Sequence, residues 1–125
     1  MHDRGKEAEA GACRFLESKG FTILERNYFS RYGEIDIIAQ GEEFLIFAEV
    51  KARGEKTLAQ PKESVTRSKQ QKIIRTAKMY LAGHPVAAQP RFDVIEVFFP
   101  KTEGEPFRVK LLKNAFWENT AQGKY

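Results

Sequence analysis

An α/β fold built on a mixed sheet is predicted by three features of the 125-residue chain. A helical stripe opens it, three short strand patterns follow, and a second helical stripe separates the third strand pattern from a fourth. Strands joined by tight turns pair antiparallel, whereas a strand–helix–strand crossover makes a parallel pair. The predicted order is α-β-β-β-α-β, with helices flanking the sheet. No Pro/Gly/Ser-rich linker or internal repeat divides the chain, so a single domain over residues 1–125 is expected.

Residues 3–19 place Ala8, Ala12, Phe15 and Leu16 at the i, i+4, i+7, i+8 spacing of a buried helical face. Asp3 can cap the start and Gly20 can close the end. Glu9 falls inside this apolar stripe, beside Ala12, Cys13 and Leu16, while Glu7 falls on the wet side. An acid on a buried stripe is costly unless it has a partner. Strands are expected at 21–27 (FTILERN), 34–40 (EIDIIAQ) and 44–52 (FLIFAEVKA), the last two joined by a tight hairpin around QGEE. Ser68 and Gln71 form an S-x-x-Q capping box ahead of a helix over 69–82. That helix turns Ile73, Ile74, Ala77, Tyr80 and Leu81 inward, and Gly83 and Pro85 stop it. A fourth strand is expected at 91–99, a turn at 101–106, a short fifth strand at 107–112, and a half-helical segment at 114–119.

Charge is unevenly spread. The net charge is +4, but residues 1–50 carry net −4, residues 51–78 net +7, and residues 79–125 net +1. A basic block beside an acidic half suits either a polyanion met by one face or an ordinary solvated helix surface. The opening MHDRGKEAEAG lacks the apolar core of a signal peptide, and no apolar run approaches the roughly 18 residues of a membrane span. The single cysteine, Cys13, excludes an internal disulfide and reads as a small core residue. A cytoplasmic protein with no membrane association is expected. His2 and His84 read as isolated surface residues.

The chemistry is carried by carboxylates on strands. In the third strand Leu45, Phe47, Glu49 and Lys51 share one face, because side chains alternate. In the second, Glu34, Asp36 and Ile38 share a face. A hairpin turn centred at Glu42 and Glu43 pairs Asp36 directly with Glu49, and a slip of one pair leaves the two diagonal on the same face. Two carboxylates about 4 Å apart repel by roughly 4 kcal/mol at an effective dielectric of 20. A proton, a nearby lysine or a divalent cation can offset this. Hard oxygen ligands suit Mg²⁺ or Mn²⁺, which can activate water beside a phosphate, and an adjacent lysine can stabilise the anion that develops. An isolated E-x-K triplet is also ordinary surface chemistry.

In combination these residues resemble a known family. D-(x)₁₂-E-x-K on a β-hairpin, preceded by a helix bearing a glutamate, resembles the PD-(D/E)XK nuclease superfamily. The stretches AEAGACRFL (8–16), KGFTILERN (19–27), GEIDIIA (33–39), FAEVKAR (47–53) and RFDVIEV (91–97) are closest to its YraN-like branch, related to Holliday-junction resolvases. The resemblance implies a restriction-endonuclease-like core and a metal-dependent endonuclease that hydrolyses phosphodiester bonds of DNA, with branched or structured DNA as the suggested substrate. It implies Asp36, Glu49 and the backbone carbonyl of Val50 as ligands of Mg²⁺ or Mn²⁺, Lys51 as the catalytic lysine, Glu9 as a helix acid near the metal, Glu34 at the rim, and Gln71 as a polar helper. It also raises the expectation of a homodimer, since junction resolvases cut two strands symmetrically. Ala8 and Ala48 depart from the family's Gly and Val without touching a proposed ligand, and Ile35 stands where the superfamily name has Pro, as is usual for this branch. Asp93 recurs in the family pattern and reads equally as a structural acid bonded to Arg91 or to backbone.

Candidate phosphate contacts are Arg53, Lys56, Lys62, Arg67, Lys69, Lys72, Arg75 and Lys78. Arg53 follows the strand bearing Glu49, and the loop over 54–64 is a candidate for ordering on DNA. Tyr28, Phe29 and Tyr32 read as base-stacking groups or as hairpin-corner packing. RNA is not distinguished from DNA by phosphate contacts. A nucleic-acid-binding module or adaptor of a repair complex, without turnover, is the competing reading.

Overall fold

Helix α1 (Arg4–Ser18) is followed by β1 (Thr22–Ser30), β2 (Gly33–Gln40), β3 (Phe44–Arg53), α2 (Arg67–Gly83), β4 (Gln89–Phe98) and β5 (Arg108–Phe116). The computed structural model describes residues 4–54 and 65–117. The strands form one sheet in chain order, β1-β2-β3-β4-β5. Only β3 and β4 run parallel, because α2 carries the chain back between them; the other neighbours are antiparallel. This is the expected mixed α/β sheet, consistent with a restriction-endonuclease-like core, with β5 as an added edge strand.

The helices cover opposite faces, and the strand alternation explains how. On β3, Ile46 and Ala48 face the core under α1, with Ala8, Ala12, Leu16, Ile37 and Ile95. Leu45 and Phe47 face the core under α2, with Ile38, Ile73, Ala77, Tyr80 and Val94. A strand buried on both sides must be apolar on both, which is why 44–48 reads FLIFA. At one end of β3 Phe44 remains half-buried, and toward the other Glu49 interrupts the apolar run while itself buried.

The β2–β3 hairpin closes with Gly41 N–H donating to the Phe44 carbonyl at 2.9 Å, leaving Glu42 and Glu43 at the turn. Ile37 stands opposite Ala48 and Ile38 opposite Phe47. The ladder ends at the Ile37–Ala48 pair: Ile35 joins Ile38 in the core under α2 while Ile37 lies in the core under α1, so the strict alternation expected of β2 breaks at Asp36, whose carboxylate instead accepts the Val50 N–H of β3. Gly41 leaves no room for a side chain: an added Cβ would lie 2.7 Å from the Phe21 ring.

Three boundaries differ from the sequence expectation. Helix α2 is capped by Thr66, not Ser68: Thr66 is extended, and its hydroxyl accepts from the Lys69 N–H at 3.1 Å. Ser68 and Gln71 therefore lie inside the first turns and do not form the capping box. Strand β1 runs on to Ser30, pairing as far as Ser30 opposite Gly33, after a bulge between Ile23 and Glu25. Residues 114–116 are strand, not helix. Asn114 adopts a positive φ of 52° and its N–H donates to Asp93 Oδ1, after which Phe116 pairs with Phe92 and their rings stack at 5.3 Å. Gly20, at φ 93°, closes α1 as expected, with Phe21 N–H returning to the Leu16 carbonyl. Asp3, His2 and most of the 54–64 loop lie outside the described residues.

Candidate active site

The site begins where β2 and β3 carry their first charged side chains past the apolar stretch. Asp36 Oδ2 accepts the Val50 N–H at 2.8 Å, which ties its carboxylate across to β3. Burial, and then the neighbouring Glu49 charge, push the Asp36 carboxyl up from its ordinary 3.8 to about 7. The Val50 N–H bond opposes the shift, and the charge of Glu9 adds to it.

Glu49 is the buried member, its side chain only 4% exposed. Two ammonium groups meet it on the same oxygen, Oε2: Lys51 Nζ at 3.3 Å and Lys69 Nζ at 2.5 Å. Lys51 comes from two residues along β3, on the face predicted by alternation. Lys69 reaches in from the first turn of α2. Burial works against the Lys69 charge, but its bond to Glu49, with the charges of Glu49, Asp36 and Glu34, outweighs burial and holds the ammonium above its ordinary range.

Glu9 approaches from α1. Asn27 Nδ2 donates to Glu9 Oε1 at 3.0 Å, and Arg26 lies 3.9 Å away. The continuing β1–β2 register puts Asn27, at φ 53°, opposite Asp36. These contacts supply the partner that an acid on a buried stripe requires. Glu9, held by Asn27, is close enough for its charge to act on Asp36, which in turn neighbours Glu49 and its two lysines. Among the described residues no three His, Cys, Asp or Glu side chains cluster closely enough to hold a metal ion. The pair Asp36 and Glu49 supplies the hard oxygen donors of the site.

The sequence matches a known family. Residues 8–97 match the model of "Uncharacterised protein family UPF0102". The chain belongs to the UPF0102 family. This is the YraN-like family that its motifs resemble. A UPF0102 protein of Desulforapulum autotrophicum is 48% identical over 113 residues, covering 90% of this chain and 91% of its own. Another, from Desulfosudis oleivorans, is 44% identical over 118 residues, covering 94% and 92%. One from Clostridium botulinum is 41% identical over 116 residues, covering 91% and 94%.

Within this UPF0102 chain the remaining sequence candidates divide. Asp36, Glu49, Val50 and Lys51 come together, and Lys69 joins them although the sequence placed it only among phosphate contacts. Its position in the first turn of α2 was legible; its reach to Glu49 was not. Glu34 is exposed, close enough for its charge to act on Lys69. Gln71 is exposed and makes no contact to the carboxylates, while its neighbour Gln70 bonds the Val65 carbonyl at 3.0 Å. Arg53 is withdrawn from the surface: it is paired with buried Glu96 at 3.1 Å, its side chain 11% exposed. Lys72, Arg75 and Lys78 lie on the exposed face of α2. Arg75 sits over the Tyr32 ring at 5.5 Å, and Arg31 at 5.1 Å. Tyr28 packs edge-on against Tyr80, but Phe29 stays 70% exposed.

Asp93 takes its structural reading. Arg91 grips both its buried oxygens with three bonds, and the N–H of exposed Asn114 adds a fourth. Cys13 is a buried core residue whose thiol burial pushes up, away from thiolate chemistry. No described helix is long and apolar enough to cross a membrane.

Proposed function

We propose that this chain is a Mg²⁺- or Mn²⁺-dependent endonuclease that hydrolyses phosphodiester bonds of DNA, with branched or structured DNA as its favoured substrate. The observation that carries the reading is the apposition of Asp36 and Glu49 with Lys51 and Lys69 on one carboxylate oxygen. The donor set fits a small divalent ion: two hard carboxylates on neighbouring strands, one of them driven to hold a proton by burial and then by the other's charge. Asp36, Glu49 and the Val50 carbonyl would hold the ion. When bound it would supply Lewis-acid stabilisation of the phosphate and a more acidic water nucleophile.

The chain's own residues do the rest. Lys51, fixed by β3, stabilises the negative charge that grows on the phosphate. Val50 N–H fixes the Asp36 carboxylate, and Asn27 with Arg26 holds Glu9 beside it. Lys72, Arg75 and Lys78 neutralise flanking phosphates. The basic face and the single buried cysteine suit a reducing, nucleic-acid-containing compartment.

The test is cleavage of linear, single-stranded, flapped and four-way DNA with Mn²⁺, Mg²⁺ or EDTA, comparing wild type with Glu49→Ala. Metal-dependent cutting that the variant loses upholds the reading; equal activity in both sinks it. A second reading, a binding module without turnover, is favoured by the two lysines that already balance the two carboxylates. It predicts DNA binding in EDTA that survives Glu49→Ala, and no cutting of any DNA.

A further inference from the structure

The balance of charge around Glu49 poses a problem for any cation that enters. Two carboxylates, Asp36 and Glu49, are matched by two ammonium groups, both on Glu49 Oε2. A divalent ion would add two positive charges to a set whose ammonium groups at least balance its carboxylates, within a few ångströms and in a partly buried place where charges are weakly screened. The ion must displace positive charge that is already there.

The two lysines are not equivalent. Lys51 is held on the strand that carries Glu49, and its side chain is only 23% exposed. Lys69 comes from another element and its side chain is 44% exposed, so its head group can turn into water without moving the helix. Its backbone is anchored independently, by the Thr66 cap. Leaving therefore costs Lys69 one ion pair and no fold contact.

We propose that Lys69 is the resident counter-cation of the Asp36–Glu49 pair and that it is displaced from Glu49 by the divalent ion. This rests on the metal part of the nuclease reading. The released ammonium stays at the mouth of the site, where a substrate phosphate is its next anion. Lys69 is a positioning residue in the ion-free protein and a phosphate contact after the exchange.

The experiment is calorimetric titration of the full chain with Mn²⁺, for wild type, Lys69→Met, Lys69→Gln and Lys51→Met. Both Lys69 variants are expected to bind Mn²⁺ roughly tenfold tighter than wild type, a typical coupling between two ligands. Lys51→Met also tightens binding, by removing the repulsion of an ammonium that stays beside the ion, but it leaves Lys69 on Glu49 to be displaced. The Mn²⁺-induced rise in melting temperature is larger in the Lys69 variants by the same linkage. Unchanged or weaker Mn²⁺ affinity in the Lys69 variants overturns the proposal, as does absence of binding in all four proteins. DNA cleavage by the same preparations separates the two ideas. Tighter Mn²⁺ binding without cleavage upholds the exchange and refutes the nuclease. Cleavage by wild type with unchanged Mn²⁺ affinity in the variants does the reverse.

Discussion

Replacing Asp36 with Asn should change how stability depends on pH, and the direction follows from its surroundings. The folded protein holds the Asp36 proton to about pH 7, whereas the unfolded chain releases it near 3.8. Between those values the native state binds more protons than the unfolded state, so stability falls as pH rises. The contribution is present in full below pH 3.8, declines through the interval and is gone above pH 7. At 1.36 kcal/mol per pH unit the total is about 4 kcal/mol. Asp36→Asn keeps the shape and the acceptor for Val50 N–H but cannot ionise. In EDTA, urea denaturation of wild type should lose about 4 kcal/mol more than Asp36→Asn between pH 4 and pH 8. The variant should therefore be the more stable protein at pH 8. A difference between the two proteins that stays constant over this range would refute the account of Asp36 as an acid pressed by burial and Glu49.

Three further outcomes are expected. Asp93→Ala should cost about 3–5 kcal/mol in denaturant melts, because it strands buried Arg91 and the Asn114 N–H; a loss below 1 kcal/mol would contradict its structural role. Gly41→Ala should cost about 1–3 kcal/mol, since its Cβ would meet the Phe21 ring at 2.7 Å, and a melting temperature equal to wild type would show that the ring gives way freely. Arg75→Ala should weaken DNA binding across sequences and lower the salt slope by about one, measured by anisotropy at several KCl concentrations; an unchanged slope would remove Arg75 from the phosphate contacts.

The carboxylate site was legible because strand geometry is rigid. Alternation places Glu49 with Leu45 and Phe47, and the two-residue turn at Glu42 and Glu43 brings Asp36 next to Glu49, although the alternation of β2 breaks at Asp36 itself. Helix ends were less legible, since Thr66 and Ser68 are both competent caps and only the observed bond from the Lys69 N–H to the Thr66 hydroxyl separates them. The end of β5 was misread as half-helical because its strand state is imposed by Asp93 and Phe92 on β4.

By itself the sequence determined the element order, the two apolar helix faces, the parallel β3–β4 crossover and the nearness of Asp36 to Glu49. All of these depend on periodicity or on contacts a few residues along the chain. Tertiary structure alone decided that Lys69 reaches Glu49, that Asn27 and Arg26 hold Glu9, and that Glu96 withdraws Arg53 from the surface. The physical reason is the range of the interaction. Each of these partners lies on a different element, and only the packing of α1 and α2 onto the sheet brings a flexible charged side chain to one particular carboxylate.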